Sequence, residues 1–110
     1  MATPVFSLHS EILTDAPLAL LSARLADPAS MACLRPFGPW STSAEGEWLQ
    51  LTWQRRRLGS EEFGLLTISP HERGAHLQLE ARHRGWTSFA SFGILRWKTD
   101  QLLERLVEEL

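Results

Sequence analysis

The chain is 110 residues long, 44% hydrophobic and 22% charged, the size and composition of one globular domain, 1–110, with one core and no room for a second. Its 11 Lys and Arg against 13 Asp and Glu give a formal charge of −2, which exerts no overall attraction on phosphate backbones or anionic lipid and excludes nucleic acid as a default partner. The lone cysteine, Cys33, excludes an intramolecular disulfide and offers no metal-ligand spacing, so it is expected as a small buried apolar side chain in a reducing, cytoplasmic setting.

Residues 5 to 13 alternate as a strand, with Phe6, Leu8 and Ile12 on one face and Ser7, His9 and Glu11 on the other. Asp15 before Ala16 and Pro17 is a helix start, and Leu18, Leu21 and Leu25 follow at helical spacing. Asp27 and Pro28 repeat that signal, predicting a second short helix over about 28 to 34 that Pro36, Gly38 and Pro39 stop. From Trp40 the period changes to two. Residues 47 to 57 set Leu49, Leu51 and Trp53 against Trp48, Gln50, Thr52 and Gln54, a half-buried strand. A turn at Leu58, Gly59 and Ser60 leads into a more apolar strand, Phe63 to Ile68.

Pro70 and Gly74 bound the next connection, after which residues 75 to 83 alternate Ala75, Leu77, Leu79 and Ala81 with His76, Gln78, Glu80 and Arg82. Arg84 and Gly85 read as a tight reversal, with Trp86 to about Trp97 returning as a long strand. Thr99 is the expected N-cap of a last helix of about 12 residues, whose stripe is Leu102, Leu103, Leu106, Val107 and Leu110. A helix this short is marginal alone, so it is expected to pack on the dry face of the sheet. No stretch approaches the roughly 18 apolar residues that a membrane span needs, and His9, Ser10 and Glu11 interrupt the first hydrophobic segment, so neither a span nor a leader peptide is expected.

A strand, the Asp15-Ala16-Pro17 helix start and the Ala26-Asp27-Pro28 break, followed by antiparallel strands and a closing helix, resemble the START-like (Bet v 1-like, SRPBCC) superfamily. The resemblance covers the whole chain and is one of topology. It implies an α+β, helix-grip-like fold: a curved antiparallel sheet with two short helices near the N-terminus and a C-terminal helix packed on the sheet. Two departures stand out, a shorter chain and a shorter last helix than the family's, which implies a missing strand and a reduced or filled cavity. The family precedent is a pocket between sheet and helix for an apolar small molecule, with cyclase or dehydratase chemistry in some members; fold alone does not choose among these.

On that precedent the pocket is lined from the dry faces by Leu51, Trp53, Phe63, Leu65, Leu79, Phe89, Leu103 and Leu106, with Leu49, Leu77 and Leu102 beside them. Continuing the alternation sets Arg55 and His83 on the same side, two strands apart at roughly 9 to 10 Å and flanking Phe63. A guanidinium and an imidazole at one mouth of an apolar pocket suit a weakly acidic ligand, a carboxylate or enolate that Arg55 anchors while His83 moves a proton. The bland alternative is that the apolar residues form a filled core and that both polar side chains lie in solvent.

Other motifs carry less. Arg55, Arg56 and Arg57 are split between faces and followed by Glu61 and Glu62, as in a solvated turn. His71, His76 and His83 do not converge as metal ligands, and no nucleophile elbow or phosphate loop occurs. No cofactor is implied, and no element demands an enzyme; only general acid–base chemistry through His83 is open. Two classes of function follow. One is a small-molecule binding module. The other is a structural or protein-interaction domain with a filled core, pairing as a homodimer through an exposed strand edge or through the wet-face Trp48.

Overall fold

In a computed structural model, which describes residues 5–35, 37, 39–57, 60–72, 74–85 and 89–109, five strands form one antiparallel sheet closed by a C-terminal helix. The strands are β1 (Val5–Thr14), β2 (Trp40–Glu45), β3 (Trp48–Arg57), β4 (Ser60–His71) and β5 (Gly74–Gly85), in the order β1-β5-β4-β3-β2. This is the expected α+β class.

Pairing register assigns the faces. Leu49, Ile68, Leu77 and Ile12 lie in one row; Leu51, Leu66 and Leu79 in the next; Trp53, Gly64, Ala81 and Leu8 in the next. Opposed residues share a face, so these rows form the inner face, and their central members are almost fully buried. Between β1 and β2 lie α1 (Leu18–Leu25) and a short 3-10 turn at Pro28–Ser30. Leu21 and Leu25, one helical turn apart, are both buried. Asp15 is not the cap of α1: Pro17 stands at the N-cap, and its carbonyl accepts from the Leu20 and Leu21 amides at 3.0 and 3.2 Å. The expected second helix contracts to the 3-10 turn, after which the chain through Phe37 carries the buried Met31, Cys33, Leu34 and Phe37.

The largest correction is at the C-terminus. The stretch read as a strand from Trp86 to Trp97 is, from residue 89, the first half of one 21-residue helix, α2 (Phe89–Glu109); Trp86 itself is outside the described residues. The physical reason is the sheet's own pairing. The edge of β5 that a returning strand would use is already taken by β1, matched from Val5↔Arg84 to Thr14↔Ala75 without a break. Phe92, Leu95, Thr99, Leu102 and Leu106 also recur at spacings of three and four, a helical stripe that local apolar alternation masks. Thr99 is therefore inside the helix, not at its cap; it is buried, and its hydroxyl donates to the Arg96 carbonyl at 3.0 Å. The expectation of a closing helix of about 12 residues, shorter than the family's, is thus overturned: α2 is 21 residues long and packs on β1 and β5, with Leu102, Leu103 and Leu106 buried. No helix among the described residues is long and apolar enough to cross a membrane.

Candidate ligand site

α2 covers the β1–β5 half of the sheet, and aromatic rings cover the other half. Trp40 on β2 is directly opposite Trp53 on β3, with ring centroids 5.1 Å apart, and Phe37 packs 4.9 Å from Trp53. Such tilted and edge-on pairs contribute about 0.5–1.5 kcal/mol each beyond area burial. Trp40 donates its indole N–H to the Leu34 carbonyl at 2.8 Å, fixing the loop that supplies Phe37. Trp53, only 1% exposed, lies across Gly64. The rings of Phe37, Trp40 and Trp53 thus pack together over β2 and β3.

One row further along, the inner face turns polar. Arg55, Glu62 and His83 are consecutive cross-strand partners, and Phe6 completes the row on β1. Arg55 and His83 do share a face and stand two strands apart, but the residue between them is Glu62, not Phe63. Glu62 accepts the Trp53 indole N–H at 3.2 Å, and its carboxylate oxygen lies 3.9 Å from Arg55 Nε. At 17% and 30% side-chain exposure this pair is half-sheltered. The His83 ring sits 6.5 Å from that of Phe6, and its Nε2 is buried with no hydrogen-bond partner among the described residues, which is unusual because buried polar atoms are nearly always paired.

Of the residues predicted to line a pocket, Leu51, Trp53, Leu79, Leu103 and Leu106 are brought together and buried. Phe63 and Leu65 are not with them. They project from the outer face, where Phe63 is 43% exposed, and Leu66 and Ile68 hold the inner positions instead. The apolar run from Phe63 to Ile68 gives no alternation from which to read its phase, and a one-residue slip exchanges the faces. The side chain of Phe89 is outside the described residues. Glu62 was missed for the same reason. The signal that finds it is the hairpin: with two residues between Arg57 and Ser60, Arg55 must face Glu62 and Arg56 must face Glu61.

Elsewhere, a cavity of about 90 Å³ lies between the Ala32–Phe37 loop and α2, lined by Cys33, Phe37, Trp97, Gln101, Leu102 and Arg105. The Arg105 guanidinium lies 5.7 Å from the centre of the Trp97 ring at its rim. Burial, reinforced by Glu109, pushes the Cys33 thiol up to about 12. Among the described residues no three His, Cys, Asp or Glu side chains converge on a metal-sized site.

No family model and no curated protein matches the chain in sequence. Solved structures do match it in shape. A protein of Mesorhizobium loti aligns over 94% of this chain and 95% of its own at a TM-score of 0.61 and 16% identity. Norcoclaurine synthase of Thalictrum flavum, a point mutant in complex with a transition-state analogue, aligns over 99% and 98% at 0.56 and 10% identity. Ara h 8.0201 aligns over 96% and 97% at 0.50 and 10% identity. The chain has the Bet v 1-like fold. At these identities the likeness is one of fold alone.

Proposed function

We propose that this protein binds an apolar small molecule bearing one weakly acidic or hydroxyl group, held at the polar end of the inner face with that group bonded to His83. The observation that carries the reading is the buried Nε2 of His83, beside the ring of Phe6 and without a partner among the described residues. A buried polar atom left unpaired costs about 1–3 kcal/mol, which a ligand hydroxyl recovers. The match in fold to norcoclaurine synthase, which is in complex with a transition-state analogue, supports a ligand role without naming the ligand.

The chemistry of the row narrows the class. A carboxylate anchored by Arg55 is disfavoured, because Glu62 already lies beside that guanidinium and opposes a second negative charge. A neutral ligand, or a weak acid bound with its proton, meets no such repulsion. Phe6 and Leu8, the partly buried members of the inner face beside His83 and Ala81, supply the apolar contact.

Native mass spectrometry of gently purified protein is expected to record a reproducible adduct of a few hundred daltons that is lost on denaturation. His83→Phe keeps a ring and removes the nitrogen, and should weaken retention by about tenfold, the worth of one hydrogen bond. A bare mass from every preparation would reject the reading.

A further inference from the structure

We propose that the free edge of β1 pairs with β1 of a second copy of this chain, antiparallel about Ser10, to make one continuous ten-stranded sheet. The inference is independent of the ligand reading. β1 ends the sheet, and no described strand lies beyond it. Its ten residues pair with β5 in unbroken register, so the edge has no bulge, and between Val5 and Thr14 it has no Pro, Lys or Arg. Long, regular edges without those devices are templates for further pairing. The opposite edge, β2, is only six residues long and carries Ser41, Thr42 and Ser43 at its centre.

The register follows from the sequence of β1. Inner-face residues must meet inner-face residues, which limits the pairing to registers whose residue numbers sum to an even value. A sum of 22 sets Glu11 against Glu11, and a sum of 18 sets His9 against His9. A sum of 20 sets His9 opposite Glu11 of the second copy on the outer face, and Leu8 opposite Ile12 on the inner face, each twice by symmetry. Leu8 and Ile12 are only partly buried in the single chain, so the second copy completes their cover. His9 and Glu11 already have neighbours within the chain, Glu80 at 3.9 Å from His9 and His76 at 3.2 Å from Glu11. The cross-pair therefore selects register, and the backbone ladder with Leu8 and Ile12 supplies the attraction.

The symmetry axis passes through Ser10, so cysteines there face each other at disulfide distance, whereas cysteines at position 7 are roughly 20 Å apart. Sedimentation velocity of the full chain over a range of concentrations should resolve a dimer. Under mild oxidation Ser10→Cys should cross-link at least about tenfold faster than Ser7→Cys, which is on the more exposed face of the same strand. Ser43→Cys reports on the β2 edge. A chain that sediments as a monomer throughout overturns the proposal, as does equal cross-linking at positions 7 and 10 or preferential cross-linking at position 43.

Discussion

The indole of Trp53 occupies the space that a Cβ on Gly64, its direct partner across the sheet, would need. The largest buried side chain of the inner face thus lies against the strand position with no side chain, and the ring from there meets both Phe37 and Trp40. Gly64→Ala should destabilise the fold by about 1–3 kcal/mol, the usual cost of overpacking. Because the ring must move, the near-ultraviolet circular dichroism should change as well. Chemical denaturation followed by both tryptophan fluorescence and circular dichroism measures the two effects; an Ala variant of parental stability would mean that Trp53 has another rotamer available.

Glu62 accepts from Trp53 and lies beside Arg55, and its two neighbours bear on its replacement differently. Glu62→Gln keeps an acceptor for the indole and should cost under about 1 kcal/mol, since a half-sheltered ion pair contributes little. Glu62→Leu leaves a buried N–H unpaired and should cost about 1–3 kcal/mol. Urea denaturation of both variants separates the two contributions, and equal losses would assign the role of Glu62 to its charge.

Where alternation was clean, the faces were legible before the structure: Phe6, Leu8 and Ile12 on β1 and Leu77, Leu79 and Ala81 on β5 are all inner, as their spacing implies. Where a run is mostly apolar with no alternation, as from Phe63 to Ile68, pattern carries no phase, and Glu62 goes unrecognised between Arg55 and His83. The first half of α2 was misread because two positions of local alternation look alike in a strand and a helix. The tertiary fact that β1 occupies the edge of β5 excludes the strand. The orphaned nitrogen of His83 and the indole bond to Glu62 depend on side-chain packing and leave no trace in spacing.

Cys33 gives a pH dependence with a definite sign. Its thiol is pushed from an ordinary 9.0 up to about 12, first by burial and then by Glu109, which also accepts the Cys33 amide at 3.1 Å. The unfolded chain ionises above its ordinary value while the folded chain stays protonated, so this contribution is whole below about pH 9 and is lost as the pH rises toward 12. Between pH 8 and pH 10.5 the parent should therefore lose about 2 kcal/mol more than Cys33→Ala. The same burial predicts slow alkylation by iodoacetamide in the native state and rapid alkylation in urea. Matching pH profiles for parent and variant would show that the thiol ionises freely in the fold.

Phe37 tests how far the space over β2 and β3 depends on one ring. It comes from an irregular loop, is only 6% exposed, and touches Trp40 and Trp53. Phe37→Ala should cost about 3–5 kcal/mol, a large part of the 5–15 kcal/mol that holds a domain of this size. Phe37→Leu, which retains most of the volume, should cost about 1–2 kcal/mol and keep the fold. If the loop does not collapse, the Ala variant gains an apolar void against Trp53, and a small aromatic such as indole should raise its melting temperature while leaving the parent unaffected. Thermal denaturation of the parent and both variants with and without indole reads this directly. Stabilisation of the parent by the same indole would mean that the native rings already leave room for a ligand.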